Sequence, residues 1–236
     1  HLSIRRQRQM CIRDSYMTAY RQGFGNTLAN GVMRASQKIG GEASKAAIYT
    51  MKGNSPRGHD HRTSWGEMFD TSVSNTGTIE TLTALSAAPP YNAGAGNPQG
   101  TTEGVALTKG ITVFIDSLGN CRFPSGANHA LLTEAVNAVT GWNLSLEETK
   151  NIGLRAVNLM KVFNLRGGIT KELDAPSERY GSTPVDGPTK GISIKPHWDS
   201  MLRNYYRLMR WDEETGKPLP ETLRKLGLEH VIRDIY

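Results

Sequence analysis

Apolar residues recur at intervals of three and four through most patterned stretches of this chain, a spacing that predicts helices. Leu28, Val32, Ala35, Ile39, Ala43, Ala46 and Ala47 keep that spacing across the break Gly40-Gly41, so residues 26–50 read as helical. Small residues dominate there, which suits close packing against other helices. Residues 52–66 show no period and read as a loop, Glu67 to Val73 as a short helix. Thr78 to Ala87 resumes helical spacing and ends at Pro89-Pro90. Residues 88–103, rich in Gly, Pro and Asn, read as a long loop. The apolar run Ile111 to Ile115 leads to a tight turn at Gly119. Over Ala127–Val139, Leu131, Leu132, Ala135, Val136 and Val139 share one face. Ser145-Leu146-Glu147-Glu148 has the form of a capping box and predicts a helix to about Phe163. Residues 167–195 read as loop. The next helix is expected from about His197 to Met209, burying Trp198, Met201, Leu202, Tyr205 and Leu208. A last one, about Pro220 to Leu226, ends at Gly227 in the position after the C-cap. No βαβ alternation and no internal repeat is evident. The expected fold class is mainly α, two irregular helical lobes joined by functional loops. Trp65, Trp142, Trp198 and Trp211 are expected in the core.

The first fifteen residues change the charge picture. They are basic and patternless, and Gln9-Met10-Cys11-Ile12-Arg13-Asp14-Ser15 resembles translated sequencing-adapter sequence. Residues 1–15 are therefore read as a non-native tail and set aside from fold reasoning, a basic nucleic-acid-binding or targeting arm being the rival reading. Arg5, Arg6, Arg8 and Arg13 against Asp14 supply +3 of the chain's net charge of +6. What remains is small, so the charge gives little support for a nucleic-acid partner. Without Cys11, Cys121 is the remaining thiol. No disulfide framework can form within the chain, which suits a reducing, cytoplasmic setting. No apolar run reaches the length of a membrane span.

Two stretches carry candidate chemistry. In Asp116-Ser117-Leu118-Gly119-Asn120-Cys121-Arg122-Phe123 a cysteine stands beside a tight turn. A single thiolate can be a nucleophile, a buried filler, or one ligand of a metal centre completed from elsewhere. Gly119 lets the chain turn tightly enough to present backbone N–H groups, and Arg122 adds a cation. His59-Asp60-His61-Arg62 has the His-x-His form of a zinc site, yet no further Cys or His lies at a fitting spacing.

Asp-x-x-Gly-x-Cys followed by a basic and an aromatic residue resembles the cluster- and pterin-binding turn of the aldehyde:ferredoxin oxidoreductase family of tungsten-pterin enzymes. Further blocks resemble the family in the same order: Lys52-Gly53 to Arg62, Ser74-Asn75-Thr76-Gly77, Asn158-Leu159 through Asn164-Leu165-Arg166-Gly167-Gly168, Met201 to Tyr206, and Trp211 to Pro218. Asn120 stands where the family usually has Leu, and His61 where it usually has Pro. Family members are far longer, and this chain begins at His1, so it is read as a C-terminal fragment. Residues 16–58 would end the middle helical domain and 59–236 form the C-terminal helical domain.

The resemblance implies roles. Asp116 would contact a pterin, and Cys121 would be the last of four ligands to a [4Fe-4S] cluster. Gly119, Asn120 and Arg122 would line the same cofactor turn. His59 would lie by the active-site cavity and can donate a proton. Glu80 stands near where many members place a His close to the tungsten, and can serve as acid or base. Residues 88–103 would be an insertion shaping substrate access. The implied cofactors are a tungsten-bispterin (tungstopterin) and the [4Fe-4S] cluster. The implied activity is aldehyde oxidation to carboxylate. The implied partners are ferredoxin, the missing N-terminal part of the chain with its three other cluster thiolates, and copies of the chain or electron-transfer subunits. A membrane or nucleic acid is not among them. The Glu80 substitution and the Gly-His-Asp-His-Arg loop lean towards a divergent branch, near class II benzoyl-CoA reductase catalytic subunits, acting on an aryl-CoA thioester. A non-catalytic helical binding module is the remaining alternative.

Overall fold

The computed structural model describes residues 2–81, 95–120 and 128–236. The chain is helical through most of them: α1 Leu2–Ala19, α2 Gly25–Leu28, α3 Gly31–Ile39, α4 Glu42–Ala46, α5 Trp65–Val73, α6 Pro98–Ser117, α7 His129–Thr140, α8 Leu146–Arg166, α9 Trp198–Leu208 and α10 Pro220–Lys225. Among the described residues there is no sheet. Isolated antiparallel bridges pair Thr50 with Pro176 and Trp211 with Pro218. Nor is any helix there long and apolar enough to cross a membrane.

The main core lies between α5, α6, α8 and α9. Phe69 on α5 meets Trp198 and Tyr205 of α9, with ring centroids 5.3 and 5.5 Å apart. Trp211 closes the far side of Tyr205 edge-on at 5.7 Å. A smaller core gathers Val162 with Leu223, Leu226, Leu228, Val231 and Ile235 at the C-terminus. The capping box of α8 forms as expected, Ser145 Oγ accepting from Glu148 N and Glu148 Oε2 from Ser145 N. Gly227 takes its left-handed place after α10 at φ 68°.

Helices α6 and α8 cross with their backbones in contact. A Cβ added to Gly153 would stand 1.8 Å from the Gly110 carbonyl oxygen, and one added to Gly110 would stand 2.7 Å from that of Lys150. No side-chain rotation relieves a clash with backbone. Gly153→Ala should therefore cost about 1–3 kcal/mol or more, as overpacking does. The check is a lowered urea midpoint in the full-length protein, and an unchanged midpoint would mean that the helices part without loss.

Several expectations change. Residues 98–103 of the expected loop are the start of α6. The Asn97 side chain accepts from Gly100 N at 3.0 Å, Pro98 occupies the first turn, and Thr101 and Thr102 are buried where Asn204 of α9 donates to Thr102 Oγ1. Residues 82–94 lie outside the described part, so the helix expected from Thr78 to Ala87 is described only to Thr81, where it is not helical. On α7 the expected apolar face is only partly covered: Leu131, Ala135 and Val139 are exposed, and Leu132 and Val136 are half-buried. The buried contact is polar, Thr133 and His129 both meeting Thr149 Oγ1 of α8. On α9, Tyr206 is buried in place of Leu208. Trp142 is exposed, while Trp65, Trp198 and Trp211 are in the core. Leu28, Val32 and Ile39 are exposed and Ala35 is buried. Residues 2–15, read as patternless, belong to α1, whose residues 9–16 are all exposed.

Candidate functional site

The loop before α5 is shaped by its own polar side chains. Asp60 Oδ1 accepts from Arg62 N at 3.1 Å, which starts the short turn His61–Thr63. The Arg62 guanidinium then grips Asp60, Nε and Nη2 lying 2.8 and 2.7 Å from its two carboxylate oxygens. This loop forms one wall of an open cavity of about 540 Å³. Val32, Ala46 and Ile48 give the cavity an apolar side, and Arg179 and Tyr180 arrive from the loop after α8. That second loop is tied to the segment before Arg57, since Ser177 N donates to Tyr49 O and Met51 N to Ala175 O.

His59 lines this cavity and is exposed to it. Its ring stacks near that of His61, centroids 6.4 Å apart and planes 18° from parallel. His61 has a structural place that the sequence did not suggest. It is buried, with Nδ1 2.5 Å from the Tyr180 hydroxyl and Nε2 2.9 Å from Glu67 Oε2, the latter out of line for a hydrogen bond. Arg57 reaches the same Glu67 oxygen from the cavity side, Nε at 3.1 Å and Nη2 at 2.8 Å. Burial pushes the Glu67 carboxyl up, but His61 and Arg57 outweigh it and hold it below the usual carboxylate range. Burial pushes the Tyr180 hydroxyl up, so it stays neutral.

Glu80 is elsewhere. It does not line the cavity and is buried. Its Oε1 accepts from Thr76 N and Oγ1, both at 2.8 Å, and its Oε2 lies 3.1 Å from Lys109 Nζ. Lys109 also meets Asp70 Oδ1 at 2.6 Å, and Asp70 Oδ2 accepts from Glu80 N and Thr81 N. Burial works against the Lys109 charge, but Asp70 and Glu80 override it and hold the lysine protonated. A second buried cluster reverses the ratio. Asp174 lies 2.5 Å from Lys52 Nζ and 2.9 Å from Lys161 Nζ, and accepts from the Tyr206 hydroxyl at 2.5 Å. Lys52 also donates to the Ser72 and Ser74 carbonyls, and Lys161 sits over the Tyr206 and Trp211 rings. Burial pushes the Lys52 ammonium below the usual lysine range, against the pull of Asp174 and, from the first cluster, of Glu80. Together they set three lysines against three carboxylates, one cluster with an excess of acid and the other with an excess of base.

The third predicted region is separate again. Asp116 is exposed in the last turn of α6, and Gly119 follows at φ 66° with its N–H 3.2 Å from the Asp116 carbonyl oxygen. Asn120 ends the described stretch. Cys121 and Arg122 lie outside the described residues. Asp116, Gly119 and Asn120 do not line the His59 cavity. Among the described residues no three or more His, Cys, Asp or Glu side chains gather as a metal site. Cys11, on α1, is exposed. Arg57, Glu67, Arg179 and Tyr180 were not singled out in the sequence. The last two stand more than a hundred positions from His59, and no local pattern joins them.

The family model for aldehyde ferredoxin oxidoreductase, domains 2 and 3, matches this chain over residues 9–228. The chain belongs to the aldehyde ferredoxin oxidoreductase family. It is 30% identical over 223 residues to a tungsten-containing aldehyde ferredoxin oxidoreductase of Pyrococcus horikoshii, covering 89% of this chain and 35% of that protein. To the enzyme of the same name in Pyrococcus abyssi it is 28% identical, covering 91% of this chain and 36% of that protein. To the WOR-like subunit of an aliphatic sulfonate oxidoreductase from Pyrococcus furiosus it is also 28% identical, covering 93% of this chain and 35% of that protein. The chain thus spans about a third of the length of these relatives. The family match begins at residue 9, inside the stretch read as a non-native tail.

Proposed function

We propose that this chain supplies the C-terminal helical part of a tungstopterin- and [4Fe-4S]-dependent oxidoreductase. Its reaction is the oxidation of aldehydes to carboxylates, with ferredoxin as electron acceptor, in the cytoplasm. The family match over residues 9–228 carries this reading. The rest of the protein would bring the pterin-binding β-domain and the other cluster thiolates.

The described residues fit one edge of such a cofactor site. Asp116 presents an exposed carboxylate at the end of α6, and Gly119 turns the chain just beyond it. A carboxylate accepts paired N–H donors, which is the contact a pterin edge offers. Cys121 would give one thiolate, with backbone N–H groups around Gly119 and Asn120 and the Arg122 cation offsetting the negative charge of the cluster. When bound, the cofactors supply two-electron oxidation at the metal and onward electron transfer. The protein residues position and exchange protons. His59 is exposed to the cavity and is the group we assign to proton exchange with substrate or water. Glu80 is held by Lys109 and Thr76, and we assign it charge balance in the core ahead of acid–base work.

The test is Cys121→Ala in the full-length protein, purified without oxygen. With one iron left without its thiolate, the cluster should be lost or damaged, read as iron content and the cluster's spectrum. Unchanged iron and an unchanged spectrum would refute the ligand assignment.

A further inference from the structure

We propose that the His59 cavity selects an aldehyde that carries a second, anionic oxyacid group, anchored by the Arg179 guanidinium. The proposal rests on the reading above that this cavity admits substrate. Its basis is which guanidinium groups of the cavity wall already hold a carboxylate. Three guanidinium groups line it, those of Arg57, Arg62 and Arg179. Arg57 is neutralised by Glu67, which it meets through Nε and Nη2. Arg62 is neutralised by Asp60 through Nε and Nη2, and its remaining Nη1 donates to Ser182 Oγ at 3.3 Å. No such partner holds the Arg179 side chain among the described residues. Of the three guanidinium groups, that of Arg179 is the one that holds no carboxylate among the described residues, so it is the one open to an anionic group.

The backbone that carries Arg179 is held by its own hydrogen bonds. Gly181 N donates to Ser177 O at 2.9 Å and Ser182 N to Arg179 O at 3.2 Å, so Arg179 sits within a closed turn. Its neighbour Tyr180 is locked to His61. Opposite the polar wall, Val32, Ala46 and Ile48 are apolar. The cavity thus offers a cation for a headgroup, an apolar side for a short carbon chain, and His59 for proton exchange. A planar guanidinium fork suits a carboxylate or sulfonate, with two parallel charge-assisted hydrogen bonds.

Two measurements on the full-length protein test this. The first compares kcat/KM for 4-oxobutanoate and for butanal, which differ by one carboxylate. The wild type should prefer 4-oxobutanoate, and Arg179→Gln should lower that preference about 10-fold or more, chiefly through KM, as loss of a bidentate charged contact does. Arg179→Lys should keep part of it. Arg233→Gln, which removes an arginine lining a different surface cavity, is the charge control. A preference that Arg179→Gln leaves intact, or that Arg233→Gln lowers equally, overturns the proposal. The second measurement needs no turnover. Titration calorimetry with succinate should show binding to the wild type and about tenfold weaker binding to Arg179→Gln. If no aldehyde is oxidised but succinate binds in this pattern, the functional reading fails and the anion site stands. No succinate binding by the wild type, or equal binding by both, overturns the anion site.

Discussion

Lys109→Met should cost about 3–5 kcal/mol, the range for removing one partner of a buried ion pair. Lys109 is fully buried and is the cation that meets both Asp70 and Glu80. Methionine nearly keeps the volume and removes the charge, so two buried carboxylates would face each other. One of them would have to take up a proton to stay inside. The loss is comparable to the whole stability of many domains, so the full-length protein should lose soluble yield and unfold at a much lower urea concentration. Taking charge from both sides, as in Lys109→Met with Asp70→Leu, should cost less than the two single changes added together. A loss of under about 1 kcal/mol for Lys109→Met would mean that water or a shifted proton already compensates this cluster.

These lysines show where sequence reading stops. Helices with a local signature were legible: the Ser145–Glu148 box, the glycine after α10, and the spacing of Trp198, Met201, Leu202 and Tyr205 all depend on residues a few positions apart. Lys52, Lys109 and Lys161 carry no such signature. A lysine on a helix is by default a solvated one, and the carboxylates that bury these three stand between 13 and 122 positions away. The start of α6 was missed for a related reason. Asn97-Pro98 is a sound N-terminal signal, but the Gly, Pro and Asn content of residues 88–103 makes the stretch read as loop. What holds α6 is contact: Gly110 against α8 and Thr102 against α9. On α7 the local signal misled in the other direction, because its apolar stripe is at best half-buried while Thr133 makes the buried contact.

The candidate site divides in the same way. His59, His61 and Arg62 were visible as a loop motif, and the structure places His59 and His61 on one cavity wall with Arg62 beside them. Tyr180, which meets His61, and Arg179, which shares the cavity, stand more than a hundred positions away and could not be read from spacing. Glu80 was grouped with His59 by position relative to the family's blocks. Geometry separates the two, because Glu80 is buried against Lys109 and Thr76, while His59 is exposed.

That separation makes His59 and Glu80 respond differently to substitution. If His59 is the proton-exchanging group, His59→Asn should cut turnover about 10²–10⁴-fold, the range for a lost general acid or base. The side chain is exposed and its ring makes only a loose stack on His61, so the fold should be indifferent to the change. Tungsten and iron contents should therefore stay normal, and the pH–rate profile should lose one limb. Glu80→Gln should instead act on stability. The amide keeps the volume but no longer opposes the charge of Lys109, so unfolding should shift while the profile keeps both limbs. The measurement is a pH–rate profile with metal analysis on the wild type and each variant. Metal loss accompanying the activity loss in His59→Asn would make the residue structural. Wild-type turnover in His59→Asn would remove it from the mechanism, and the cavity would then keep its arginines as a binding wall without an acid.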